Sequence, residues 1–188
     1  MVEKTKLLND LLAGCVQGER RSQQLIYTMF SGKMKAVCLR YLKSREDAED
    51  LLQEGFIKAF QNIHQFKFEG SFEGWLRRTF VHLCIDWIRK QKNKGWNTEF
   101  NDQKHDQQDE AEEMDEMMVP DITPDQILES LNQLSPVYRT VFNLIAFEQF
   151  SHQEVADQLG ISVGTSKSNY SKAKRNIQRI LLDLNARK

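Results

Sequence analysis

Residues 151–184 read SHQEVADQLGISVGTSKSNYSKAKRNIQRILLDL, and the order of signals in this stretch decides the fold of the C-terminal half. Ser151 is a good N-cap, and Glu154, three positions on, completes a capping box. Val155, Ala156 and Leu159 share one helical face, with the small Ala156 where two helices would cross closely. Gly160 supplies the left-handed turn that ends the helix. Ile161 fills the gap between helices, and Ser162 caps a second helix running from Val163 to about Leu184. With these signals in register, the stretch predicts a helix-turn-helix.

The early exposed turns of the second helix carry Thr165, Lys167, Ser168, Asn169, Ser171 and Lys172, followed by Lys174, Arg175 and Arg179. Short hydroxyls, an amide and amines suit base edges and phosphates in a major groove, and the later basic residues would reach the backbone. Upstream, shorter helices are expected at 125–133 and 135–148, the latter with Ser135 as cap and Pro136 at its first position.

Charge is partitioned along the chain. Residues 1–94 carry 17 basic and 11 acidic side chains, residues 95–124 carry 1 and 10, and residues 125–188 carry 8 and 6. The formal net charge of −1 therefore conceals two basic segments flanking an acidic one. Residues 95–123 have no sustained helical or alternating period and their like charges repel. They read as an acidic flexible linker between two small helical domains, 1–94 and 124–188. Basic side chains concentrate on two predicted helices, 74–94 with six against one acidic and 162–188 with seven against one. Two such helices on separate domains point to a polyanionic partner such as DNA.

In the N-terminal half, helices are expected over 3–13, 19–42, 46–63 and 71–92. The first would turn Leu7, Leu8, Leu11 and Leu12 inward. In the third, Ala48, Leu51, Leu52, Phe56, Ala59, Phe60 and Ile63 recur at helical spacing behind a Ser44 cap. Its outer face presents Asp50, Gln53 and Glu54, an acidic and polar stripe that fits a basic partner. The fourth, FEGWLRRTFVHLCIDWIRK (72–90), has an apolar stripe of Trp75, Leu76, Phe80, Leu83, Cys84, Trp87 and Ile88, with Arg77, Arg78, Arg89 and Lys90 off it. Aromatics beside arginines suit melted nucleic acid, whose phosphates need cations and whose bases need flat faces. The loop before it, HQFKFEGS (64–71), is either a pocket for an extruded base or a polar connection closed by a hydrophobic staple.

Composition narrows the class. With only 9 Gly and 3 Pro, the chain reads as all-α. No apolar run approaches the ~18 residues a membrane helix needs, so no direct membrane insertion is expected. Residues 12–15 (LAGC) imitate a lipoprotein cleavage box, but Asn9 and Asp10 interrupt the apolar core such a signal requires. Cys15, Cys38 and Cys84 are too scattered for a disulfide framework, and His82 and Cys84 face different sides of one helix. Without paired catalytic carboxylates, a nucleophile set or a Gly-rich phosphate loop, the expectation is a cytoplasmic protein that is not an enzyme. No cofactor and no metal are expected either.

Five blocks carry a resemblance: SREDAEDLLQEGFIKAF (44–60), FEGWLRRTFVHLCIDWIRK (72–90), LSPVYRTVFNL (134–144), SHQEVADQLGISVGTSKS (151–168) and KAKRNIQRIL (172–181). In this order they resemble the extracytoplasmic-function (ECF) class of bacterial RNA polymerase sigma factors, over nearly the whole chain. The resemblance implies a factor that binds core RNA polymerase and directs it to promoter DNA. It implies that Asp50, Gln53 and Glu54 dock on the clamp of the largest subunit. It implies that the −10 element is melted and read by Phe66, Lys67, Phe68, Ser71, Trp75, Arg77, Arg78, Arg89 and Lys90. It implies that the −35 element is read by Thr165, Lys167, Ser168, Asn169, Ser171, Lys172 and Arg175, on a domain that also sits on the flap of the second-largest subunit. The acidic linker would run near the RNA path, and an anti-sigma factor would hold the free protein.

Three positions depart from the family's pattern: Ser166 where a β-branched apolar residue is usual, Asn169 where arginine is common, and His82 where asparagine is usual. These bear on promoter sequence rather than on the activity. Two rival readings are a stand-alone regulator, whose output domain would share the helix-turn-helix, and an adaptor acting through the acidic linker. Residues 1–94 lack the alternating strands of a receiver domain, and transcription with core polymerase separates all three.

Overall fold

The computed structural model describes residues 2–91 and 122–186; the stretch 95–123 read as a linker lies outside the described residues except for its last two positions, as do 92–94. Among the described residues the regular structure is entirely helical, and the chain divides into two compact units, Met1–Trp87 and Ile88–Lys188.

The first unit holds α1 (Val2–Val16), α2 (Arg20–Tyr41), α3 (Arg45–Gln61), a 3-10 turn at Ile63–Gln65, and α4 (Phe72–Gln91) up to its last turn. Local chemistry sets the starts. The Ser44 hydroxyl accepts from the Asp47 N–H at 3.1 Å, and Glu46 and Asp47 sit at the positive end of α3. The core is apolar: Ile26, Met34, Val37 and Cys38 from α2, Ala48, Leu51 and Phe56 from α3, and Leu76, Phe80 and Ile85 from α4. Phe56 and Phe80 meet within it at a ring-centroid distance of 5.4 Å, and the exposed Tyr27 caps Phe56 from outside at 4.7 Å. A Cβ on Gly55 would lie 2.3 Å from the Phe80 ring, so this ring packs on bare α3 backbone.

Two details differ from the sequence reading. Leu7 is exposed, because the buried line of α1 runs through Leu11, Leu12 and Cys15 and leaves Leu7 on its flank. In α4, Val81 and Ile85 are buried along with the expected stripe, while Trp75 and Trp87 are only half-buried. Burial of adjacent positions means that α4 is covered over more than one face.

The second unit holds α5 (Pro124–Gln133), α6 (Pro136–Phe142), α7 (His152–Leu159) and α8 (Val163–Ala186). Thr123 and Gln126 form a capping box at α5. Leu131, Leu134, Ala173, Ile177 and Leu181 form its core, with Ile127, Tyr138, Phe142 and Phe147 packed against them. The helix expected over 135–148 is not uniform: Asn143–Phe147 is a π-helical turn. Phe142 and Phe147 are five positions apart, a spacing that diverges on an α-helix. The wider turn brings both rings to the core, 6.0 Å from each other.

Candidate nucleic-acid interface

The helix-turn-helix forms as its local signals require. The Ser151 hydroxyl accepts from the Glu154 N–H at 3.2 Å, and the Glu154 carboxylate accepts from the Ser151 N–H at 2.8 Å. Gly160 is left-handed at φ 68°, and the Ile161 N–H donates to the Ala156 carbonyl at 3.0 Å. The Ser162 hydroxyl then accepts from the Thr165 N–H at 3.0 Å and starts α8. Val155, Ala156 and Leu159 are all buried.

Along α8, Lys167, Ser168, Ser171 and Lys174 are exposed, and Thr165, Lys172 and Arg175 are half-buried on the flanks of the same face. Asn169 corrects the sequence reading: it is 2% exposed and does not share the face of Lys167 and Ser168. The inner line of α8 runs Ser166, Asn169, Ala173, Ile177, Leu181, and helical register puts Asn169 on it. Its side-chain nitrogen has no hydrogen-bond partner among the described residues. Tyr170 lies between Phe142, stacked at 5.8 Å, and His152, edge-on at 5.9 Å, and Lys174 lies 5.2 Å from its ring centre. Burial raises the Tyr170 hydroxyl pKa.

In the first unit, the loop before α4 gathers an aromatic cluster. Phe66 lies 5.0 Å from Phe68, 5.5 Å from Phe72 and 5.9 Å from Trp75. Phe66 is 7% exposed and forms the floor of this cluster, so it presents no free face for a base, contrary to the sequence reading. Phe68 is 57% exposed at φ 60°, a backbone conformation that costs a bulky residue. Lys67, Ser71, Arg78 and Lys90 are exposed, while Trp75, Arg77 and Arg89 are half-buried. The Ser71 hydroxyl accepts from the Gly74 N–H at 3.0 Å and caps α4. Lys33 donates to Glu73 at 2.5 Å, and Arg77 lies 3.5 Å away. The Lys33 hydrogen bond, more than the charges of Lys33 and Arg77, holds the Glu73 carboxyl below its ordinary range.

On α3, Asp50, Gln53 and Glu54 are all exposed, and Glu54 pairs with Lys58 at 2.7 Å. Beside Gln53 opens a cleft of about 280 Å³ lined by Tyr27, Ser31, Lys35, Glu49 and Leu52. Lys35 donates to Glu49 at 2.7 Å and thereby lowers the Glu49 pKa. The sequence reading did not single out Tyr27 or Lys35. The available signal was an aromatic residue off the inner stripe of α2, since Tyr27 follows the buried Ile26.

The Sigma-70 region 2 family matches residues 26–94, and the Sigma-70 region 4 family matches residues 125–177. The chain is 29% identical to the ECF RNA polymerase sigma factor SigW of Bacillus subtilis over 89% of this chain and 93% of that protein. It is 25% identical to the ECF RNA polymerase sigma-E factor of Haemophilus influenzae over 86% and 88%. Among solved structures, the sigma factor RpoE of Bartonella quintana, in complex with the anti-sigma factor NepR, has a TM-score of 0.52. It is 21% identical, over 84% of this chain and 95% of that one. CnrH, in complex with the cytosolic domain of CnrY, has a TM-score of 0.50 at 19% identity, over 93% and 96%. At these identities the structural likeness is one of fold. The chain belongs to the ECF class of RNA polymerase sigma factors, the transcription initiation factors that direct core polymerase to promoters. No helix among the described residues is long and apolar enough to cross a membrane.

Proposed function

We propose that this chain divides promoter recognition between a domain at 1–94 and a domain at 124–188, joined by the acidic stretch 95–123. The first docks on the polymerase clamp through Asp50, Gln53 and Glu54, with Tyr27 and the neighbouring cleft taking part. Its loop and α4 melt and read the −10 element through Lys67, Phe68, Ser71, Trp75, Arg77, Arg78, Arg89 and Lys90, with Phe66 supporting Phe68 from below. The second reads the −35 element through Thr165, Lys167, Ser168, Ser171, Lys172 and Arg175, and sits on the flap. The observation that carries this reading is the doubly capped helix-turn-helix, which exposes lysines and hydroxyls on one face of α8 and buries Ala173, Ile177 and Leu181 on the other.

The chain performs no catalysis of its own; phosphoryl transfer belongs to the polymerase. It works in the cytoplasm, where the polymerase is, and an anti-sigma factor holds it when it is free, as the RpoE–NepR complex illustrates for a related fold. Promoter binding without polymerase is weak, because the net positive charge of each domain is modest, and it is salt-sensitive because it rests on phosphate contacts. Run-off transcription with core polymerase on the parent genome's promoters tests the reading. Defined start sites that vanish without the chain are expected, and their absence overturns it.

A further inference from the structure

The inner line of α8 changes character along its length. Its later positions, Ala173, Ile177 and Leu181, are core residues, but its first two, Ser166 and Asn169, are polar and buried. On this line the turns carrying Lys167, Ser168 and Ser171 are thus held by polar groups, with the Tyr170 ring stacked on Phe142 beside it. A different contact serves there: the fully buried Ser166 hydroxyl shares a 3.0 Å hydrogen bond with His152 Nδ1. The same imidazole meets the Tyr170 ring edge-on at 5.9 Å, one turn further along. His152 is the first residue of α7 and lies inside the Ser151–Glu154 capping box, so its backbone is fixed. One side chain on a rigid helix start thus touches α8 at two points that bracket Lys167 and Ser168.

We propose that His152 is a positioning residue for −35 reading, setting the tilt of the first two turns of α8 through Ser166 and Tyr170. The inference rests on the assignment of α8 to the −35 element. His152 does not touch DNA in this role. It is half-buried, and its ring is committed to α8. Side chains that read base edges tolerate misplacement of only about half an ångström, so loss of the clasp degrades discrimination before it degrades the fold.

The experiment uses the full chain with core polymerase on templates randomised across the −35 element. It reads the ratio of transcription from the preferred sequences to that from the pool. His152→Phe keeps a ring edge for Tyr170 but removes the nitrogen, and Ser166→Ala removes the other partner. Each is expected to lower the ratio about fivefold, a loss comparable to one weakened base contact. The double variant is expected to be no worse than either single one, because both break the same bond. His152→Asn, which keeps a polar atom near the place of Nδ1, is expected to recover most of the ratio. An unchanged ratio in His152→Phe, even with a lowered melting temperature, makes the contact merely structural and overturns the proposal. So do losses that multiply in the double variant. A wild-type chain that starts transcription without any −35 preference overturns the reading of α8 itself, and the role of His152 with it.

Discussion

Of the eight buried polar or charged residues among those described, seven lie in the second unit (Gln126, Ser130, Arg139, Thr140, Asn143, Ser166 and Asn169), and Ser22 alone lies in the first. The first unit hides aliphatic and aromatic side chains, which attract one another without direction and stabilise in proportion to the area they cover. The second hides groups that must be oriented. Arg139 is 2% exposed and donates to Asn132, and burial brings its pKa down to about 10. Such groups contribute little net stability but tolerate few arrangements. The contrast matches the proposed tasks. A unit that pries strands apart needs a stiff support for its aromatic and arginine side chains, and a unit that reads a groove needs its helix angles fixed.

Phe80→Ala should have the largest effect, destabilising the first unit by about 3–5 kcal/mol, since the ring is fully buried against Gly55 and Phe56. Denaturant unfolding followed by tryptophan fluorescence measures it, and a loss below about 1 kcal/mol would mean that the core is less tightly packed than the ring contacts indicate. The opposite sign is expected in the second unit. Asn169→Leu removes a buried amide nitrogen without a hydrogen-bond partner and should raise stability by about 1–2 kcal/mol. A lower melting temperature for that variant would show that the polar line is needed for folding as well as orientation.

The smallest effect concerns Glu73. Its carboxyl lies below the ordinary value chiefly through the Lys33 hydrogen bond, so the unfolded chain takes up the proton more readily than the folded one. The tie between α2 and α4 is therefore at full strength above about pH 4.3, the unfolded carboxyl value, and is lost as pH falls through the folded one. Both side chains reach solvent, which limits the contribution to a few tenths of a kcal/mol. Denaturation midpoints of wild type and Glu73→Gln, compared between pH 7 and pH 3, should converge at the acid end and differ less in high salt.

What was legible in the sequence was local. Caps and glycine turns act within four residues, so Ser151, Glu154, Gly160 and Ser162 announce the helix-turn-helix, and Ser44 announces α3. Asn169 reads as surface because it is a polar residue among lysines. Counting back from Leu181 and Ile177 through Ala173 in steps of four already points to its inner position. Phe66 and Phe68 are two apart and chemically identical, and only the fold of the loop decides which one is floor and which is face. The π turn depends on two rings reaching one core, and the cleft beside Gln53 needs α2 and α3 side by side. Neither can be read from one helix at a time.

The seat of the Phe80 ring on Gly55 reaches beyond packing. Gly55 directly follows Gln53 and Glu54, and Phe80 stands one turn after Arg77, so the two helices touch ring to main chain where their tools sit. With only the Phe80 ring between the two main chains, the position of α4 is coupled directly to that of α3. The same contact ties two loci in heredity: any descendant that gains bulk at the glycine must give up the phenyl opposite it.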